Sequence, residues 1–324
     1  MTNKLPRVEL RSRYGVWAAG LGAMIWILFP WTPVGTPPTP FSLEHVFLFL
    51  LLVVAPLGYR LLSGLMHESE GWSRNVFRYV AMVQPIASML ATAAFLLPPG
   101  SVAGALAAAW VAVAVATAVC GLSRVRQGWG ANYSNVSLIA AHVFLAPAAS
   151  WLLMSLAGVS PGILTPLRVV LAVVHFHYTG FAFQILLGAT GMHLPTSMPR
   201  LAQLHRIAAI VSILGIPMIA AGNMLAIDLL RLAGVSVQVL VSLALTVTLT
   251  AVAVHEARPA PRLLLMAAAI SLAGGMAIAG VYGATEFAGK PWLEVPTMVL
   301  AHGLLNALGF TLCGMVGHLL ASDG

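Results

Sequence analysis

Residues 101–122 read SVAGALAAAWVAVAVATAVCGL, and not one of them is charged. A helix of that length covers the ~30 Å hydrocarbon layer of a bilayer, and no soluble core needs so long an uninterrupted apolar run. The rest of the chain repeats the pattern. Apolar runs fall at 14–31, 43–63, 77–97, 101–122, 133–157, 163–190, 203–225, 232–255, 263–283 and 295–320. Of the 324 residues, 60% are hydrophobic and only 8% are charged, with a mean hydropathy of +0.93. A soluble domain carries roughly 25% charged residues, so most of this outer surface must face lipid. The expected fold is all-α: one integral membrane bundle of about ten transmembrane helices.

Charge gives an independent test of that count. The net charge of +7 and pI near 10 would suit a nucleic-acid partner if the basic residues formed a patch, but they are scattered between apolar runs. Threading the ten runs from inside to outside puts thirteen of the sixteen Lys and Arg on the side shared with both termini. Only Arg168, Arg231 and Lys290 fall on the other side. That is the positive-inside pattern, and a missed helix would scramble it. Both termini are therefore expected in the cytoplasm, with the chain in the plasma membrane and no nucleic acid as partner. Cys120 and Cys313 have no CxxC or CxxCH partner, which argues against covalent haem and zinc. No phosphate-binding loop, HExxH or serine elbow occurs.

Chemistry must then lie among the helices, where an ionisable group is costly and usually faces the interior. The run at 163–190 contains His175-Phe-His-Tyr-Thr-Gly-Phe181. At 100° per residue, His177, Phe181, Gln184 and Gly188 form one stripe, while His175, Tyr178, Thr179 and Ala182 form another. One stripe is expected to line a cavity and the other to bond a neighbouring helix. The last run contains His302-Gly-Leu-Leu-Asn-Ala-Leu-Gly-Phe310, with His302 and Asn306 on one face. Glu44, Asp228, Glu286 and Glu294 gather on the external side around a possible vestibule, and His142 and Asn223 are further polar positions.

The two motifs resemble those of the YndJ-like family of bacterial polytopic membrane proteins. The similarity is sharpest over the last half of the chain and thin in the first four helices. The resemblance implies a shared fold and cavity, with His175, His177, Tyr178, His302 and Asn306 as its functional positions. It also implies a neighbourhood of terpenoid pathways that open and cyclise epoxidised prenyl chains.

The leading expectation is a cofactor-independent acid/base enzyme acting in the membrane on a lipophilic substrate, such as an epoxide-opening isomerase or terpene cyclase. An apolar cavity would shield a cationic intermediate, and a buried acid would protonate the epoxide oxygen. The expected catalytic groups are His175, His177, Tyr178, His302, Asn306, Glu286, Asp228 and Glu44. Phe181, Gln184, Phe310, Asn223 and His142 are the expected substrate contacts, with membrane lipids as surroundings. The alternative is a redox protein in which His175 or His177 pairs with His142 or His302 around haem b. A proton-linked transporter is the third reading.

Overall fold

The computed structural model describes residues 6–28, 43–65, 71–125 and 133–322. Ten helices occupy them: α1 (Pro6–Leu28), α2 (Leu43–Ser63), α3 (Trp72–Ala94), α4 (Ser101–Val125), α5 (Tyr133–Leu156), α6 (Pro166–Met192), α7 (Pro199–Met224), α8 (Asp228–His255), α9 (Pro259–Phe287) and α10 (Pro296–Ser322). Nine of the ten, α2 to α10, are long and apolar enough to cross a membrane, so the chain is multi-pass. The apolar part of α1 is shorter, Tyr14–Leu28. Positions 29–31 of the expected first run lie outside the described residues.

Several helices begin earlier than their apolar runs, because their first turns are polar. Helix α7 starts at Pro199-Arg200 and α9 at Pro259, where proline's missing N–H has no helical acceptor to lose. Helix α6 starts at Pro166, three residues later than the run, with the Thr165 hydroxyl accepting from Arg168 N at 3.4 Å.

Consecutive helices pack as antiparallel hairpins, α3 on α4, α4 on α5, α7 on α8 and α8 on α9. Helix α2 is the hub, with 83% of its apolar stretch buried against 33% for α7 and 29% for α10. One end of the bundle is rich in arginine and includes Arg60, Arg124, Arg200, Arg206 and Arg258. At that end the Arg258 guanidinium hydrogen-bonds Glu256, holding its carboxyl below the usual range, and reaches Ala321 O at 2.7 Å. The opposite, carboxylate end holds Glu44, Asp228, Glu286 and Glu294.

Three helices depart from α geometry at similar depth. Residues Leu50–Val54 of α2, Phe176–Ala182 of α6, and Val299–Gly303 and Leu305–Leu312 of α10 form i→i+5 (π) turns. The stretches in α2, α6 and the lower part of α10 touch one another. Such turns are rare and concentrate at functional sites. Here they mark the bundle's centre.

Candidate functional site

The π turns decide where the histidines point. His177 is fully buried, and its Nδ1–H donates to Val173 O at 2.8 Å. A carbonyl only accepts, so Nδ1 carries the hydrogen and Nε2 holds a lone pair. That lone pair accepts the indole N–H of Trp110 on α4 at 3.0 Å, and the Phe47 ring stands edge-on at 4.8 Å. Both nitrogens of His177 are therefore taken.

His175 behaves differently. Its Nδ1–H donates to Leu171 O at 2.6 Å, but the side chain is exposed although it sits nine residues into α6, about 13 Å from the carboxylate end. On α10, His302 donates its Nδ1–H to Gly275 O of α9 at 2.8 Å, and Asn306 Nδ2 donates to His302 O at 2.8 Å. Gly275 is required there, since a Cβ would stand 2.4 Å from Asn306 Nδ2. His175 and His302 thus each have Nδ1–H fixed by a backbone carbonyl, and neither Nε2 has a partner among the described residues.

We take the space between them as a candidate crevice. Its floor is the meeting of the π stretches. Towards the carboxylate end, Pro166–His175 leans on α5 and α2 while Val299–Gly303 leans on α9. Tyr178 forms part of the wall, its hydroxyl donating to Val46 O of α2 at 2.7 Å. Glu44 is half-buried in the first turn of α2, at the mouth.

The two expected stripes of α6 differ in exposure. His177, Phe181, Gln184 and Gly188 are all buried. They do not share a wall: Phe181 meets Tyr59 of α2, Gln184 Oε1 accepts from Ser212 of α7 at 3.2 Å, and Gly188 faces Leu138 of α5. A π turn winds more residues into each turn, so the 100° wheel fails across 176–182. The stripe facing open space is that of His175 and Tyr178.

Other expected site residues lie elsewhere. Arg231 Nη2 pairs with Asp228 at 3.1 Å and its Nη1 with Glu286 at 3.5 Å, at the ends of α8 and α9. Glu286 stands eleven residues, about 16 Å, along α9 from Gly275. The structure does not bring these carboxylates to the histidines. Substituting Glu286→Gln should therefore leave any turnover nearly unchanged, since its carboxylate pairs with Arg231 and with neither histidine. A loss comparable to that of the histidine variants below would return Glu286 to the site. Asn223 Nδ2 donates within its own helix to Ile219 O. Phe310 packs on Phe183 at 5.8 Å. His142 is buried between Phe77 and Gly121, with Nδ1–H on Leu138 O.

These placements test the haem pairings. His177 has no free nitrogen, which removes the pairings that use it. His175 has an unpartnered Nε2, as do His302 and the buried His142, so by donor chemistry either can pair with it. No group of three or more His, Cys, Asp or Glu suited to a metal ion occurs among the described residues. Trp110 was not anticipated, although an indole in mid-span must find an acceptor for its N–H and so signals a buried partner.

A model of the YndJ-like protein family matches residues 45–310. The chain belongs to that family. The match begins inside α2 and reaches the π turn of α10, so the YndJ-like similarity covers the early helices as well as the motif-bearing half. It includes both crevice histidines and Trp110. Comparison with curated proteins and with solved structures gives no match to either.

Proposed function

We propose that the crevice is an acid/base site for a lipophilic substrate, with His175 and His302 as its proton-handling pair. The observation that supports this reading is the pair of unpartnered Nε2 atoms on two helices, set below the carboxylate end in apolar surroundings. In an epoxide-opening isomerisation or cyclisation, protonated His175 donates from Nε2 to the epoxide oxygen as the C–O bond breaks. His302 Nε2 then takes a proton from the carbon beside the cation as the new double bond forms. Protons balance, and the pair resets by transfer from His302 to His175. Asn306 positions His302, and His177 with Trp110 fixes α6. The positive-inside pattern supports cytoplasmic termini in a plasma membrane, which opens the crevice to the outside.

The test uses protein in lipid nanodiscs and an epoxidised prenyl chain. His175→Gln and His302→Gln should each lower turnover about 10²-fold or more, the usual contribution of general acid–base catalysis, while His142→Gln does not. Undiminished turnover in both variants would remove the assignment. An absorption spectrum comes first: a Soret band with stoichiometric iron, lost in either variant, would make the pair haem b ligands instead.

A further inference from the structure

We infer that Arg168 is the docking point for an anionic headgroup, so that the substrate of the proposed site is a lipid anion whose reacting group lies about 10 Å down its chain. The inference rests on the reading of His175 as the reacting centre. Arg168 and His175 are seven residues apart on one α-helical stretch, which places them on the same face, about 10 Å apart along the axis. The face is distinct from the packed one. Val169 and Val173 are buried against the bundle, whereas Arg168 and His175 are exposed and Leu171 and Ala172 between them are half-buried. The π turn that opens at Phe176, directly after His175, meets the lower π turn of α10, so this face begins where α6 and α10 come together.

Arg168 sits at the mouth without a carboxylate partner among the described residues, whereas Arg231 at the same end is held by Asp228 and Glu286. Arg168 is the third residue of the span-forming helix α6, so its charge lies near that helix's end. A guanidinium there is suited to bidentate binding of carboxylate or phosphate. Below it on the same face Leu171 and Ala172 are apolar, which suits an alkyl or prenyl chain. A lipid bound by its head at Arg168 would bring the atoms about 10 Å below it, roughly eight methylenes down, to His175 Nε2.

The test is photo-crosslinking in nanodiscs of phosphatidylcholine. Probes are a fatty acid and a monoalkyl phosphate, each with a diazirine about eight carbons from the head, and the methyl ester of the acid as neutral control. At least one anionic probe should label the 166–192 and 296–322 peptides more strongly than the ester. Arg168→Gln should reduce that labelling about fivefold, the factor carried by one charge at a membrane surface, and Arg168→Lys should retain most of it. The stronger anion names the head. Equal labelling by ester and anions, or no change in Arg168→Gln, would overturn the inference. His175→Gln should keep the label, so a failed head-docking site is distinguished from a failed acid/base assignment, which is read by turnover alone.

Discussion

Valine at position 22 should destabilise the protein by about 3 kcal/mol or more, whereas valine at position 20 should have almost no effect. A Cβ on Gly22 would lie 1.9 Å from the Leu52 carbonyl oxygen, and backbone cannot move aside as a flexible side chain can. A Cβ on Gly20 meets nothing within 4 Å. Gly15, Ala19 and Gly22 form a small-residue stripe by which α1 approaches α2, where Gly15 faces Pro56 O and Arg60. Without a hydrophobic drive between helices in lipid, such close packing supplies most of the attraction. Beyond it, α1 has the Trp26 indole on His45 O at 2.9 Å and the Tyr14 hydroxyl on Met82 O at 3.1 Å. Its outer face, with Trp17, Leu21 and Ile27, is exposed. Melting of the two variants in the same detergent makes the comparison. Equal behaviour would show that α1 is not seated on the π turn of α2. The family match begins at residue 45, so any activity of the proposed site should survive in whatever Gly22→Val protein remains folded.

The second large effect is a coupling. His177→Phe should leave the Trp110 indole N–H buried without an acceptor, and Trp110→Phe should leave His177 Nε2 in the same position. An unmet polar group in hydrocarbon costs several kcal/mol, so each single variant should lose about 2–4 kcal/mol. The double variant should lose less than the sum, by about 1–2 kcal/mol, because removing both partners leaves nothing stranded. Reversible unfolding of the four proteins gives the cycle. Strict additivity would mean that the 3.0 Å contact carries no energy, and His177 would again be a candidate for chemistry rather than for architecture.

How much of this was legible beforehand follows from what a helical wheel can carry. The nine long spans were readable because hydrocarbon imposes one simple demand, about twenty apolar residues, on every one of them. Their ends were not, because Pro199-Arg200 and Asp228 continue helices into polar surroundings where hydropathy is silent. The two motifs did locate the centre, and His302 and Asn306 share a face as their spacing required. The azimuth of α6 was lost at Phe176–Ala182, where nothing in the residues themselves announces a π turn. Glu286 and Asp228 could be assigned to an end of the bundle, but sequence gives depth and not direction, and so concealed their common partner Arg231. The acceptor for Trp110 came from a helix two hairpins away, beyond the reach of any spacing rule.

The widened turns have a consequence for how such a molecule can change. Each acts as a phase joint, so the facing of residues on one side of it does not dictate the facing on the other. The half of α6 that bears Arg168 and His175 can exchange the side chains it presents while Gln184 and Gly188 keep their seats against α7 and α5.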